Sequence, residues 1–196
     1  GIEYDALEPF IDAETMHVKL AGADLSEAVL DELLLYQTDL SGVRLVNASI
    51  RGTQFLETRL DGADLSGVRG QRSVFVKARA EGLRFDGADL TGAAFVEEPK
   101  LPGASMRGAR LTRMFARGVD LAGADLSHAN LDGCELGRSN LQGASLRGAQ
   151  AREAGLRFAD LSRAQVVGAD LRGALLANAK VFGARLDRTS LFMADL

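Results

Sequence analysis

A large apolar residue stands at every fifth position along most of this chain. In the stretch 123–133, GADLSHANLDG, Leu126 and Leu131 are five apart, and each follows an Asp or Asn and, one residue earlier, an Ala. Five is neither the strand period of two nor the helix period of 3.6. A helix would turn each leucine about 140° from the last, so no face would be apolar. The spacing therefore reads first as a repeat, and it demands a short-period solenoid in which each unit contributes the same inward residue.

With the large central residue called i, the unit recurs from Leu20 to Phe95, slips by one residue, and resumes from Leu101 to Leu196. Gly70, Ala80, Ala116 and Ala151 are the central positions without a large side chain. Position i−2 is mostly Ala, which suits a second inward position where the wall must come close. Position i+2 is Gly in half of the units, which predicts a turn with positive φ once per unit. Position i−1 is often Asp or Asn, short side chains that hydrogen-bond turn backbone.

The units GADLS at 22–26, 62–66 and 123–127, GADLT at 87–91 and GADLR at 168–172 resemble the pentapeptide-repeat family, whose consensus is A(D/N)LXX. That resemblance implies an all-β fold, a right-handed quadrilateral β-helix. Four pentapeptides make one square coil, i and i−2 point inward, and the other three positions face out. On this plan residues 18–196 form about nine coils, a rod on the order of 43 Å long at one strand spacing per coil. Residues 1–17 are expected to be an N-terminal cap. The register break near 96–103, with its stretch PKLPG, is expected to form a bulge or loop that interrupts the wall. Phe55, Phe75 and Phe95 fall on one side in successive coils and are expected to stack. At Gly70 the coil is expected to be loose or filled by a neighbour. The last unit stops on a central residue, Leu196, which leads to the expectation that the natural chain continues.

Little in the sequence points to catalysis. His17 and His128 have no metal-ligand spacing with each other or with Cys134. Cys134 occupies i−2 and is expected to be a buried, inert thiol. No nucleophile-elbow, P-loop or dinucleotide motif is present. No enzyme activity, cofactor or metal site is expected. The chain has no apolar run long enough for a membrane span and no signal-peptide pattern in its first residues, and a cytoplasmic location is expected. The net charge of −4 comes from residues 1–17, which hold Glu3, Asp5, Glu8, Asp12 and Glu14 and no Lys or Arg. The repeat body is almost neutral, and it lacks the basic stripe and aromatic platforms of a nucleic-acid binder.

The outward positions of the phenylalanine-bearing side are unusually apolar. Leu34, Tyr36, Leu56, Val74, Val76, Val96, Phe115, Phe158 and Leu175 form a candidate partner-binding wall, because contiguous apolar surface marks contact sites. The expected function is that of a non-catalytic protein-interaction scaffold, with an unidentified protein partner. Homodimerisation, through an end or through the same wall, is a related use. The family resemblance implies two alternatives. One is a DNA mimic that binds DNA gyrase or topoisomerase IV and protects against quinolone-type inhibitors; the other is the repeat domain of a secretion-system effector or adaptor.

Overall fold

The computed structural model describes residues 20–196; the expected cap at 1–17 lies outside the described residues. Within the described part, the chain runs as a four-sided parallel coil. Each i−1 residue bridges its counterpart one coil on, 20 residues away as in Asp24 to Arg44 to Asp64 to Arg84, or 21 across the inserted residue as in Arg84 to Ser105. On one side, here the fourth wall, the bridges lengthen into strands: β1 (Leu34–Tyr36), β2 (Gln54–Leu56), β3 (Val74–Val76) and β4 (Ala94–Val96). These pair in sequence order as one parallel sheet, with Leu35, Phe55, Phe75 and Phe95 in register.

The pentapeptide follows from the fate of its five amides. In the first coil the i−1 amide of Arg44 donates back to Ala23 O (2.9 Å), and the i amide of Leu25 donates forward to Arg44 O (2.7 Å). The i+2 amide of Gly22 also donates forward, to Ser41 O (2.8 Å). The i−2 amide of Ala23 closes a turn on Leu20 O (3.0 Å). With Gly22 at φ 70°, that turn matches type II, which requires positive φ at its third residue. Every i+2 residue from Gly22 to Met193 has positive φ, the non-glycines included.

The fifth amide, at i+1, has no backbone acceptor at these turns. The Asp or Asn at i−1 takes it: Asp24 accepts from Ser26 N (3.0 Å), Asp89 from Thr91 N (3.1 Å) and Asn130 from Asp132 N (2.9 Å). Elsewhere an i+1 aspartate of the preceding coil substitutes, as Asp31 does for Arg51 N (2.8 Å). A buried or crowded donor left unpaired is costly, so the acidic position of the repeat is a capping position.

Two inward layers fill the rod. Central residues such as Leu40, Leu65 and Leu126 and the i−2 alanines Ala63, Ala88 and Ala129 are fully buried. Phe55, Phe75 and Phe95 stack at 4.6 and 4.5 Å with nearly parallel rings, and Phe85 meets Phe75 edge-on at 5.9 Å. Where a bulky residue takes the small position, a small one nearby takes the large. Leu83 lies three residues after Ala80, and Met114 two before Ala116, and all four are buried. Constant total volume keeps the column packed. At Gly70 the gap is filled by its neighbours, since a β carbon there would lie 2.8 Å from Leu90 Cδ2 and 3.2 Å from Ile50 Cγ1.

The extra residue is absorbed without breaking the wall. Glu97 and Glu98 both take positive φ (59°), a two-residue bulge at the corner, and the ladder continues from Arg79 to Lys100 to Asp120. The expected interruption is therefore a local bulge. Pro99 then occupies the place of Thr38, Thr58 and Ala78 in earlier coils, whose amides make no backbone bond in the described residues. Pro102 sits at i+1, whose amide has no backbone acceptor at these turns. Both prolines thus fall where a missing N–H removes no ladder bond.

Two outcomes follow. Gly70→Ala, which looks like filling a core gap, should instead lower stability by about 1–3 kcal/mol in denaturant unfolding, because Leu90 and Ile50 already occupy the space. The second concerns Asp160, whose carboxyl is held down to about 2 by the Ser162 hydroxyl, the Gln142 amide and the Ser162 backbone N–H, against a small opposing effect of burial. A depressed carboxyl contributes stability above its unfolded value near 3.9 and loses it as the pH falls toward the folded value. Asp160→Ala should cost about 1 kcal/mol at neutral pH. Asp160→Asn should keep most of that stability and flatten the loss of melting temperature between about pH 4 and 2.

Candidate functional site

Outward positions on a square coil form two columns per wall, i−1 and i+1, with consecutive coils in register. On the fourth wall the i+1 column runs Tyr36, Leu56, Val76 and Val96, one apolar side chain from each of β1 to β4. The i−1 column runs Leu34, Gln54, Val74, Ala94 and Phe115, then Glu135, Gly155, Leu175 and Asp195. The structure therefore brings seven of the nine wall residues together: Leu34, Tyr36, Leu56, Val74, Val76, Val96 and Phe115. Leu175 stands on the same wall but is separated from them by Glu135 and Gly155. Phe158 is at an i+2 corner with φ 59°, where the Arg138 guanidinium lies over its ring at 5.7 Å.

The ends of this patch are the most open. Leu34 is 62% exposed, Tyr36 59%, Phe115 45% and Phe158 53%, whereas Leu56, Val74, Val76, Val96 and Leu175 are half-buried by their neighbours. The corner beside the patch carries a charge ladder. Gln37 donates to Glu57 (2.9 Å), and Lys77 sits between Glu57 (3.6 Å) and Glu97 (3.3 Å). The hydrogen bond that Lys77 donates to Glu97 is the main reason its ammonium is held above its ordinary range. Reading the sequence by column would have found the interruptions at Gln54 and Ala94. It could not have found the Arg138 stack, which depends on how two corner side chains lean.

The other walls carry paired charge. Asp24 meets Arg44 and Asp64 meets Arg84, each at 3.5 Å. Asp170 is gripped by Arg172 and Arg152, both at 2.7 Å, and Arg172 above all holds its carboxyl far below the usual range. Arg152 and Arg172 thus share a wall with their acid, as Arg110 does with Asp89 (3.5 Å). Among the described residues no three His, Cys, Asp or Glu side chains gather as metal ligands, and no helix is long and apolar enough to cross a membrane. At the rod's last coil, Val181, Leu186, Leu191 and Leu196 help line an apolar hollow of about 270 Å³.

The pentapeptide-repeat profile matches residues 17–45, 30–67, 53–92, 120–157 and 154–191, in 8 copies. The chain belongs to the pentapeptide-repeat family. This repeat protein is accordingly a right-handed quadrilateral β-helix. It is 30% identical to HetL, a pentapeptide repeat protein involved in heterocyst differentiation regulation in the cyanobacterium Nostoc, with 89% of each chain covered and a TM-score of 0.45. It also resembles a trypsin-treated form of QnrB1, a plasmid-mediated fluoroquinolone resistance protein, at 21% identity and a TM-score of 0.59, covering 89% of this chain and 82% of that one. Comparison with curated protein sequences gives no significant match.

Cys134 is buried at i−2, and burial pushes its thiol up to about 12. It should resist a maleimide reagent in the native rod and react fully once the protein is unfolded, as read by intact mass. Native labelling at the rate of a free thiol would show that this part of the core opens.

Proposed function

We propose that this pentapeptide-repeat protein is a non-catalytic interaction scaffold that binds a protein partner through its fourth wall. The observation that carries the reading is the unbroken column Tyr36, Leu56, Val76 and Val96, with Leu34, Val74 and Phe115 beside it on a flat parallel sheet. Val29, Phe182 and Phe192 are exposed on other walls, while the fourth wall gathers seven apolar side chains in two adjoining columns. Removing such a contiguous face from water stabilises a complex, and its regular backbone needs no ordering on binding. The same wall serves equally for self-association into a homodimer. Affinity capture with the wild-type rod, beside Val76→Asp and a triple Val74, Val76 and Val96→Asp variant of unchanged circular dichroism and melting temperature, tests this. Partner or self-association should fall at least about tenfold in the single variant and vanish in the triple. Full retention in the triple variant would exclude the wall.

A second reading draws on the rod shape shared with QnrB1: the protein would offer its outward carboxylates to a topoisomerase in place of duplex DNA. The ladders that pair Asp24, Asp64, Asp89 and Asp170 with arginines reduce the uncompensated negative charge available for it. Gyrase supercoiling assayed with a fluoroquinolone decides the matter. Protection at micromolar protein would support the mimic, and unchanged inhibition would dismiss it.

A further inference from the structure

Three described glycines lack positive φ: Gly70, Gly137 and Gly155. Gly70 is explained by the packing of Ile50 and Leu90. Gly137 and Gly155 face outward on the fourth wall in consecutive coils, where no turn requires them. Gly137 sits in the i+1 column between Arg117 and Arg157, and Gly155 in the i−1 column between Glu135 and Leu175. Their missing side chains leave a notch of about 170 Å³, lined by Arg117, Glu135, Arg157, Phe158, Leu175 and the two glycines. Small-molecule sites usually start near 300 Å³, so this space is on the scale of one amino-acid side chain.

The molecule's own columns indicate what is missing. Opposite charges alternate from coil to coil in Asp24, Arg44, Asp64 and Arg84, and again in Glu57, Lys77 and Glu97. Like charges also stack, as in Arg59, Arg79 and Lys100; continued in the alternating manner, the position between Arg117 and Arg157 would hold an acid, and Gly137 leaves it open. Arg157 has turned to Asp195 (3.1 Å). Arg117 makes no ion pair among the described residues, and its Nε leans to 3.9 Å from where a β carbon on Gly137 would be. Glu135 leans over Gly155, with its Cδ 3.0 Å from the corresponding point there. Two arginines and one carboxylate, Glu135, line the notch, and Arg157 is engaged outside it by Asp195.

We propose that this notch receives the carboxylate of an aspartate or glutamate from a partner protein, seated between Arg117 and Arg157. An adjacent apolar residue of the partner rests on Phe158 and Leu175. The inference rests on the fourth wall being a binding surface, and it names the chemistry that wall selects. Guanidinium groups hold carboxylates through paired, charge-assisted hydrogen bonds, so the inserted acid restores the absent rung of the ladder.

The test uses the isotope-labelled protein and two blocked peptides, acetyl-Leu-Glu-Leu-amide and acetyl-Leu-Gln-Leu-amide, followed at the Gly137 and Gly155 amide signals by NMR. The Glu peptide should shift both signals saturably and bind about fivefold more tightly than the Gln peptide at low salt. Arg117→Gln, at an exposed position, should bring the two peptides to equal affinity. Gly137→Ala should abolish the response, with signals of the first three walls unchanged. Equal titration by both peptides, no shift at millimolar peptide, or a Glu preference that survives Arg117→Gln would overturn the proposal. The failure of each reading is separable. A captured partner lost in Val76→Asp and fully retained in Arg117→Gln removes the notch and leaves the wall. A Glu-selective peptide response with no association sensitive to Val76 leaves the carboxylate site and removes the wall.

Discussion

Parallel backbone hydrogen bonds between successive coils fix this molecule, and they impose one requirement on everything else: each coil must contain the same length of chain. Four of the five amides in a unit are committed to that ladder or to its turn. Side chains must then satisfy the fifth amide, fill the axis and leave the corners free to turn. The Asp or Asn at i−1, the large residue at i, the small one at i−2 and the glycine-rich i+2 are four answers to one geometric demand. The single irregularity shows how strict that demand is. One added residue is taken up entirely in the bulge at Glu97 and Glu98, and the ladder resumes at Lys100 in its original column. Pro99 and Pro102 occupy the places beside it where an amide is dispensable.

The same register that aligns backbone also aligns side chains. Residues about 20 apart in sequence become neighbours at strand spacing, so outward columns act as linear patterns written along the rod. In the column Asp24, Arg44, Asp64 and Arg84 the pattern is alternating charge. Exposed pairs of this kind contribute little stability individually. Their stronger effect is on recognition, because they leave few charges uncompensated. On the fourth wall the pattern is apolar over β1 to β4, then broken by two glycines and a set of arginines. An apolar patch and a charged notch thus lie along one face, and in the proposed binding role they supply area and a point of orientation.

Much of the fold was legible because the repeat is one-dimensional. A five-residue period assigns each residue an inward or outward direction, and the four sides that the family resemblance implies assign it a wall. The phenylalanine stack, the burial of Cys134 and the grouping of Leu34, Tyr36, Leu56, Val74, Val76, Val96 and Phe115 all follow from that arithmetic. Phe158 was harder to place. Its number assigns it to a corner, and only the lean of Arg138 across its ring shows how it is used. The filling of Gly70 was equally hidden, since it depends on which rotamers Ile50 and Leu90 adopt. The notch at Gly137 and Gly155 was present in the sequence as two glycines off the turn position. Its meaning required knowing that Arg117 makes no ion pair among the described residues and that Arg157 reaches Asp195.

The sequence by itself determined a short-period solenoid with two inward layers, because a strict period in a ladder-bonded chain admits one register; its resemblance to the pentapeptide repeats implied the four sides and so the wall on which each outward residue stands. The tertiary structure decided where the long side chains go once they leave the backbone. Arginine, glutamate and lysine carry several rotatable bonds beyond the β carbon, so their partners are chosen across coils by distance and charge rather than by position in the repeat. Those choices separate a neutralised wall from an open one.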